Sequence, residues 1–398
     1  MPRKRLTYLD MAKGVGIFLV VLGHIEYIQE DTLKWISSFH MPLFFVIGGI
    51  LSYAKRNEKK PFFTALAGKA RGTLLPYAAF TIMLLAVNTF GLFFDPGDLT
   101  ASQLARQYVD AATGYGIHIL WFLPAYFTAG ALFLLLDRRF RPGLRNGAVL
   151  ILSLLALGIT VAFHLDRYAS MNLTLAGYAG MDLLITVLRG ILAMPFLLAG
   201  WYLGLLEEKL FSGRRKEKGR LICLALGLLM IPGSLLALAS PVFDLHYLYV
   251  EPLHYLTALL ICTGLLGLMR ALPESRILSW LGRNSLVIMC THAAFFVVYY
   301  VSLGMFFIDN RIPLPQPLFN LGTAVFVCVA EIPIVWIFNR YFGYLLGRKS
   351  SPQSLCLGNP LIFPKAGHGN LSAAFQLFHQ KLRPERGRCL LRDRKSVV

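Results

Sequence analysis

The chain reads as an all-α protein that crosses a membrane about ten times, and three observations predict this fold class. First, the 398 residues are 56% hydrophobic and 15% charged, whereas soluble domains run near about 45–50% apolar and about 25% charged. Second, apolar windows long enough to span a bilayer recur along the chain. Third, the basic residues crowd into alternate loops. Helices are required because unpaired backbone groups cannot face lipid.

In order, the ten windows are 14–28, 35–54, 73–94, 117–136, 147–164, 183–206, 221–239, 252–269, 285–307 and 318–338. The first and fifth are short and tilt little or extend beyond these limits. The first carries His24, and the second carries His40 about one turn below its outer end. The third follows Lys69 and Arg71, and the fourth opens on Trp121-Phe122-Leu123-Pro124. Arg189 lies in the sixth, His292 in the ninth and Glu331 in the tenth.

With a cytosolic N-terminus, 26 of the 31 Lys/Arg up to Lys349 fall in inner segments, and only Lys34, Arg106, Arg167 and Arg311 in outer loops. That is the positive-inside pattern, so both termini are expected in the cytosol. The net charge of +18 is thereby a topology signal, and membrane lipids rather than nucleic acid are the expected partner. Residues 1–349 read as one membrane domain. Residues 350–398 are polar, basic and aperiodic, and read as a disordered cytosolic tail. No cleavable leader is expected, since the first apolar run leads into Gly23-His24-Ile25-Glu26 without a small-x-small site. Cys223, Cys262, Cys290 and Cys328 fall in windows, Cys356 and Cys389 in the tail, and no CxxC pair exists. The cysteines read as apolar fill, and no metal site is expected.

Ionisable groups at membrane depth are expensive to insert, which makes the histidines candidates for function. Lys13 and His24 are eleven residues apart, about three helical turns, so both project from nearly one helix face. The connection to the second window is short, so the first two helices are antiparallel neighbours and His24 can meet His40. A neutral imidazole takes a hydroxyl proton near pH 7, the general-base task. A structural pair bonding between helices is the alternative. Met41-Pro42 also suits His40 to a positioned helix end.

Other candidates divide in the same way. Lys13 is a snorkelling anchor or a ligand, and Asp10 one turn earlier is placed to pair with it. Arg71, against the third window, is a topology marker or a bidentate phosphate ligand. Trp121 belongs to an interfacial aromatic belt or stacks on a sugar ring. His292 bonds helices together or acts in function. Arg189 and Glu331 are buried charges that can pair. No HxxxxD, HExxH, GxSxG or Walker pattern occurs, which argues against nucleotide hydrolysis and metalloprotease chemistry. Acyl transfer by a histidine base needs none of them.

Tyr8-Leu9-Asp10-Met11-Ala12-Lys13-Gly14, Val20-Val21-Leu22-Gly23-His24 and Phe39-His40-Met41-Pro42-Leu43-Phe44-Phe45-Val46-Ile47-Gly48-Gly49 resemble the opening of the acyltransferase 3 membrane family. The likeness is nearest to its fucose 4-O-acetylase-like branch. Trp121–Pro124 and Leu281-Gly282-Arg283-Asn284-Ser285-Leu286, with His292 beyond, are similar to later family signatures. The resemblance covers about residues 5–349. It implies a ten-span protein of a bacterial inner membrane that moves an acyl group, commonly acetyl from acetyl-CoA, to a sugar or polysaccharide hydroxyl. It also implies His24 as base, with His40 beside it. Lys13 stands where the family commonly has arginine, so charge is kept and the bidentate fork is lost. Gly48 stands where relatives often have serine. The expected donor ligands are Lys13, Lys69 and Arg71, and the expected acceptor contacts are Trp121 and His292. An exporter or flippase of a glycan or acyl-containing metabolite is the competing expectation, its histidines lining a path. No internal repeat supports the inverted-repeat version of that alternative.

Overall fold

The computed structural model describes residues 6–348, apart from positions 27, 57, 59, 95–99, 172, 212–215, 296 and 310–314. The tail expected at 350–398 lies outside the described residues. The helices run in order as α1 (Thr7–Gly23), α2 (Glu30–Ser37), α3 (His40–Ala54), α4 (Phe62–Phe94), α5 (Ala101–Thr113), α6 (Phe122–Arg139) and α7 (Pro142–Ala162). They continue as α8 (Leu175–Phe211), α9 (Lys216–Gly227), α10 (Met230–Ala239), α11 (Pro252–Ala271), α12 (Arg276–Thr291), α13 (Val297–Asp309) and α14 (Gln316–Tyr341). Short 3₁₀ turns cover His118–Trp121 and Leu165–Ser170. The described residues hold no β-strand, only an isolated antiparallel bridge between Asp244 and Tyr249. The chain is an all-α polytopic membrane protein.

Each of the ten apolar windows overlaps a helix, and among the described residues eight helical stretches are long and apolar enough to cross a membrane. Windows 14–28 and 285–307 fall on shorter pieces: α1 has 17 residues, α12 has 16 and α13 has 13. The expected continuous helix over 285–307 is broken, because after Thr291 the chain turns and the Val298 N–H bonds back to the His292 carbonyl at 2.8 Å. Windows 35–54 and 221–239 are also interrupted, each four residues before a proline. A proline ring clashes with the carbonyl four residues earlier and supplies no N–H. Pro42 therefore ends α2 near Ser38, and Pro232 separates α9 from α10 near Leu228. The charges expected to pair, Arg189 and Glu331, do not. Each finds a nearer partner: Arg189 bonds to backbone carbonyls, and Glu331 accepts the Thr291 hydroxyl at 2.7 Å.

Two glycine crossings set the helix arrangement. A Cβ on Gly282 would lie 1.8 Å from the Asp10 carbonyl oxygen, and one on Gly14 would lie 2.1 Å from that of Leu278. The backbones of α1 and α12 therefore touch. In the same way, a Cβ on Gly200 would lie 1.9 Å from the Val46 oxygen and one on Gly49 2.1 Å from the Leu197 oxygen, joining α3 to α8. Small residues at crossings are how helices gain close van der Waals contact where lipid removes the hydrophobic drive between them. At the ends of these helices away from His24, two glutamates of α8 are gripped in parallel. Glu207 takes the Tyr8 hydroxyl and Arg270, and Glu208 takes the Tyr53 hydroxyl and Arg56.

Gly282→Ala is expected to lower the thermal midpoint in detergent, because overpacking of this kind costs about 1–3 kcal/mol. Gly158→Ala, where nothing lies within 4 Å of the added carbon, is expected to leave the midpoint unchanged. Equal midpoints for the two variants would remove the crossing from the account of stability.

Candidate functional site

The C-terminal end of α1, the α2–α3 break, the 3₁₀ turn at His118–Trp121 and the loop between α10 and α11 surround a cleft. It encloses about 1140 Å³ of space between protein atoms, open solvent at its mouth included. His24, His40, His118 and His246 all line it, with Trp121 and Asp244.

His24, His40 and His292 are fixed in the same way. Nδ1 of His24 lies 2.7 Å from the Val20 carbonyl, Nδ1 of His40 lies 2.8 Å from that of Ile36, and Nδ1 of His292 lies 2.7 Å from that of Ile288. A carbonyl only accepts, so Nδ1 of each ring is the donor, and in the neutral ring Nε2 keeps its lone pair. His24 is solvent-exposed at the cleft and His40 is half-buried. The backbone carbonyl does the orienting that a carboxylate does in other histidine sites. His24 ends α1, one residue past the last helical turn, and His40 begins α3 with Pro42 in its first turn. The helix-end expectation for His40 agrees with this placement.

The remaining sequence candidates separate. His292 is fully buried, its ring edge-to-face with His24 at 5.1 Å between centroids, and Nε2 has no hydrogen-bond partner among the described residues. It stands behind His24 rather than in the cleft lining. Trp121 is buried, not belted at an interface, and His246 is stacked on it with centroids 5.1 Å apart and planes at 16°. Lys13 pairs with Asp10 at 2.8 Å, as the one-turn spacing suggested, and lies roughly 16 Å along α1 from His24. Lys69 is half-buried on α4 with its ammonium against Gly130 of α6, while Arg71 is exposed. None of these three cations lines the cleft.

Three cleft residues were missed in the sequence, namely His118, Asp244 and His246. They lie in short irregular segments with no periodicity to mark them, and the only signal was a polar, aromatic run, Asp244-Leu245-His246-Tyr247. Their positions depend on Arg189, which is fully buried on α8. Its Nε and Nη2 donate to the His246 carbonyl at 2.9 and 2.6 Å, and its Nη1 donates to the Tyr115 carbonyl at 2.8 Å. One guanidinium thus ties the α10–α11 loop to the turn that leads into His118. That turn is tight. Gly116 has φ +88° and no room for a Cβ, which would sit 2.3 Å from the Trp121 Cα, and His118 itself has φ +49°. A left-handed non-glycine residue costs about 1–2 kcal/mol and recurs at functional sites.

The loop's electrostatics follow from burial. Asp244 accepts the His246 N–H at 2.7 Å, yet burial holds its carboxyl above the usual range. His246 is pushed well below the ordinary imidazole value by burial first, then by Arg189 and His118, so it stays neutral across physiological pH.

Fold and cleft together define a polytopic membrane protein with a histidine-lined site at one mouth. The sequence pattern of the acyltransferase domain of the acyltransferase 3 family matches residues 6–340. The chain belongs to that family, and is a membrane acyltransferase. No curated protein and no solved structure matches it.

Arg189→Lys keeps the charge but loses the fork, which leaves buried carbonyls short of donors. Amide hydrogen exchange over 241–250 is expected to rise at least tenfold in this variant, with α12 unchanged. Unaltered loop protection would show that something else holds the loop.

Proposed function

We propose that this protein transfers an acyl group, commonly acetyl, from acyl-CoA to a sugar hydroxyl, with His24 as general base. The observation that carries the reading is the Nδ1 contact of His24 with the Val20 carbonyl, which leaves an oriented Nε2 lone pair at the wall of an open cleft. The ring needs no covalent intermediate. Nε2 takes the proton of the acceptor hydroxyl, and the oxygen adds to the thioester carbonyl. The C–S bond then breaks, and the CoA thiolate leaves with the proton that His24 returns. His40, with its own free Nε2, accepts a hydrogen bond from the acceptor and aligns it. His292 supports the far side of the His24 ring.

The charge bias of the loops supports a cytosolic position for both termini, and hence a cleft on the opposite side of a bacterial inner membrane. The donor then comes from the cytosol, its phosphates meeting Lys13, Lys69 and the exposed Arg71. The acceptor is a cell-surface or lipid-linked sugar, in keeping with a fucose 4-O-acetylase-like branch.

The test uses sealed vesicles containing the protein, radiolabelled acetyl-CoA and the host's envelope glycans, with label followed into base-labile ester. His24→Ala is expected to lower transfer about a hundred- to ten-thousandfold with insertion intact, the range one general base contributes, and His40→Ala, which removes only an aligning hydrogen bond, to lower it about tenfold. Full activity in a well-inserted His24→Ala protein would sink the assignment.

A further inference from the structure

The outer wall of the cleft carries a chemistry of its own. It is built from the α10–α11 loop and the 3₁₀ turn, and brings together Asp244, His246, Tyr247, His118 and Trp121. Two imidazoles here supply neutral hydrogen-bonding groups, and Nε2 of His246 is buried with no hydrogen-bond partner among the described residues. A buried polar atom of this kind is costly until something satisfies it. Tyr247 is exposed, its ring 4.5 Å from that of His246, and adds an aromatic surface of the sort on which a sugar's C–H face rests.

The charge of this wall is one-sided. Among the described residues, the only carboxylate lining the cleft is Asp244, and no Lys or Arg lines it. The nearest guanidinium, Arg189, has Nε, Nη1 and Nη2 all committed to the carbonyls of His246 and Tyr115. An anionic ring entering here meets no cation to replace its lost hydration, and it meets Asp244. Burying an uncompensated charge is costly, whereas a neutral hydroxylated ring needs only the donors and acceptors present.

We infer that the wall formed by Asp244, His246, Tyr247 and His118 is the acceptor subsite, and that it selects an uncharged hydroxyl-bearing sugar over its carboxylated counterpart. The inference rests on the O-acyl transfer reading and adds the class of acceptor to it. His246 hydrogen-bonds the ring, Asp244 accepts from a hydroxyl and repels carboxylate, and His24 meets the hydroxyl that reacts. Selection therefore resides in residues separate from those that move the proton.

Matched pairs of p-nitrophenyl glycosides and uronides, gluco and galacto, are offered to the vesicles with radiolabelled acetyl-CoA, beside the host glycans. The expected result is at least tenfold higher kcat/KM for the neutral member of each accepted pair. Asp244→Asn is expected to narrow that ratio several-fold without moving the KM for acetyl-CoA. His246→Ala is expected to raise the glycoside KM more than it lowers kcat. Uronides labelled as well as their neutral partners would overturn the subsite and leave acyl transfer standing. Label on host glycans but on no small glycoside would overturn recognition of a single neutral ring. Label nowhere would overturn acyl transfer itself.

Discussion

Much of this site depends on one short contact made three times, an imidazole Nδ1–H donated to the carbonyl one helical turn back. A ring within a membrane protein has two nitrogens to account for, and an unsatisfied N–H there is costly. Bonding the helix's own backbone satisfies the donor, settles the tautomer and fixes the ring, with no carboxylate to be buried. The lone pair that remains belongs to Nε2 in all three cases. For His24 it is oriented at the edge of a cleft, and for His292 it is buried with no hydrogen-bond partner among the described residues. Identical local chemistry thus gives two environments, and only the packing around it decides which ring reaches solvent.

That packing comes from backbones in contact. Gly14 and Gly282 bring α1 onto α12, which places His24 beside His292. Gly49 and Gly200 bring α3 onto α8, the helix that also carries Arg189. The helices that bear the histidines are therefore positioned by absent side chains, and the loop opposite them by a single guanidinium. The first device is stiff, since carbonyl oxygens cannot yield. The second rests on three hydrogen bonds.

What was legible in the sequence follows the same division. Apolar windows located every long helix, because lipid imposes a pattern of about twenty residues. The short link between the first two windows foretold that His24 and His40 lie near one another, as their shared cleft has it, and Met41-Pro42 foretold that His40 stands at a helix start. The breaks at Leu228 and His292 were not foreseen, since apolar composition continues through them. Burial in the sequence suggests a pair between Arg189 and Glu331, but backbone carbonyls, which sequence does not locate, are the partners that Arg189 takes. His118, Asp244 and His246 sit in irregular chain with no period to betray them, and only tertiary structure brings them to the cleft.

The two walls of the cleft are consequently independent inheritances. One is made of helix ends within residues 7–54, the other of the turn at His118–Trp121 and the loop between Ala239 and Pro252, far downstream. A substitution in the loop between α10 and α11 alters its side chains while the carbonyl held by Arg189 remains, because every residue offers the same carbonyl. The clamp reads backbone and is blind to sequence. Descendants of this chain are therefore free to diversify what the loop presents, generation by generation, with the proton-handling wall left as it stands.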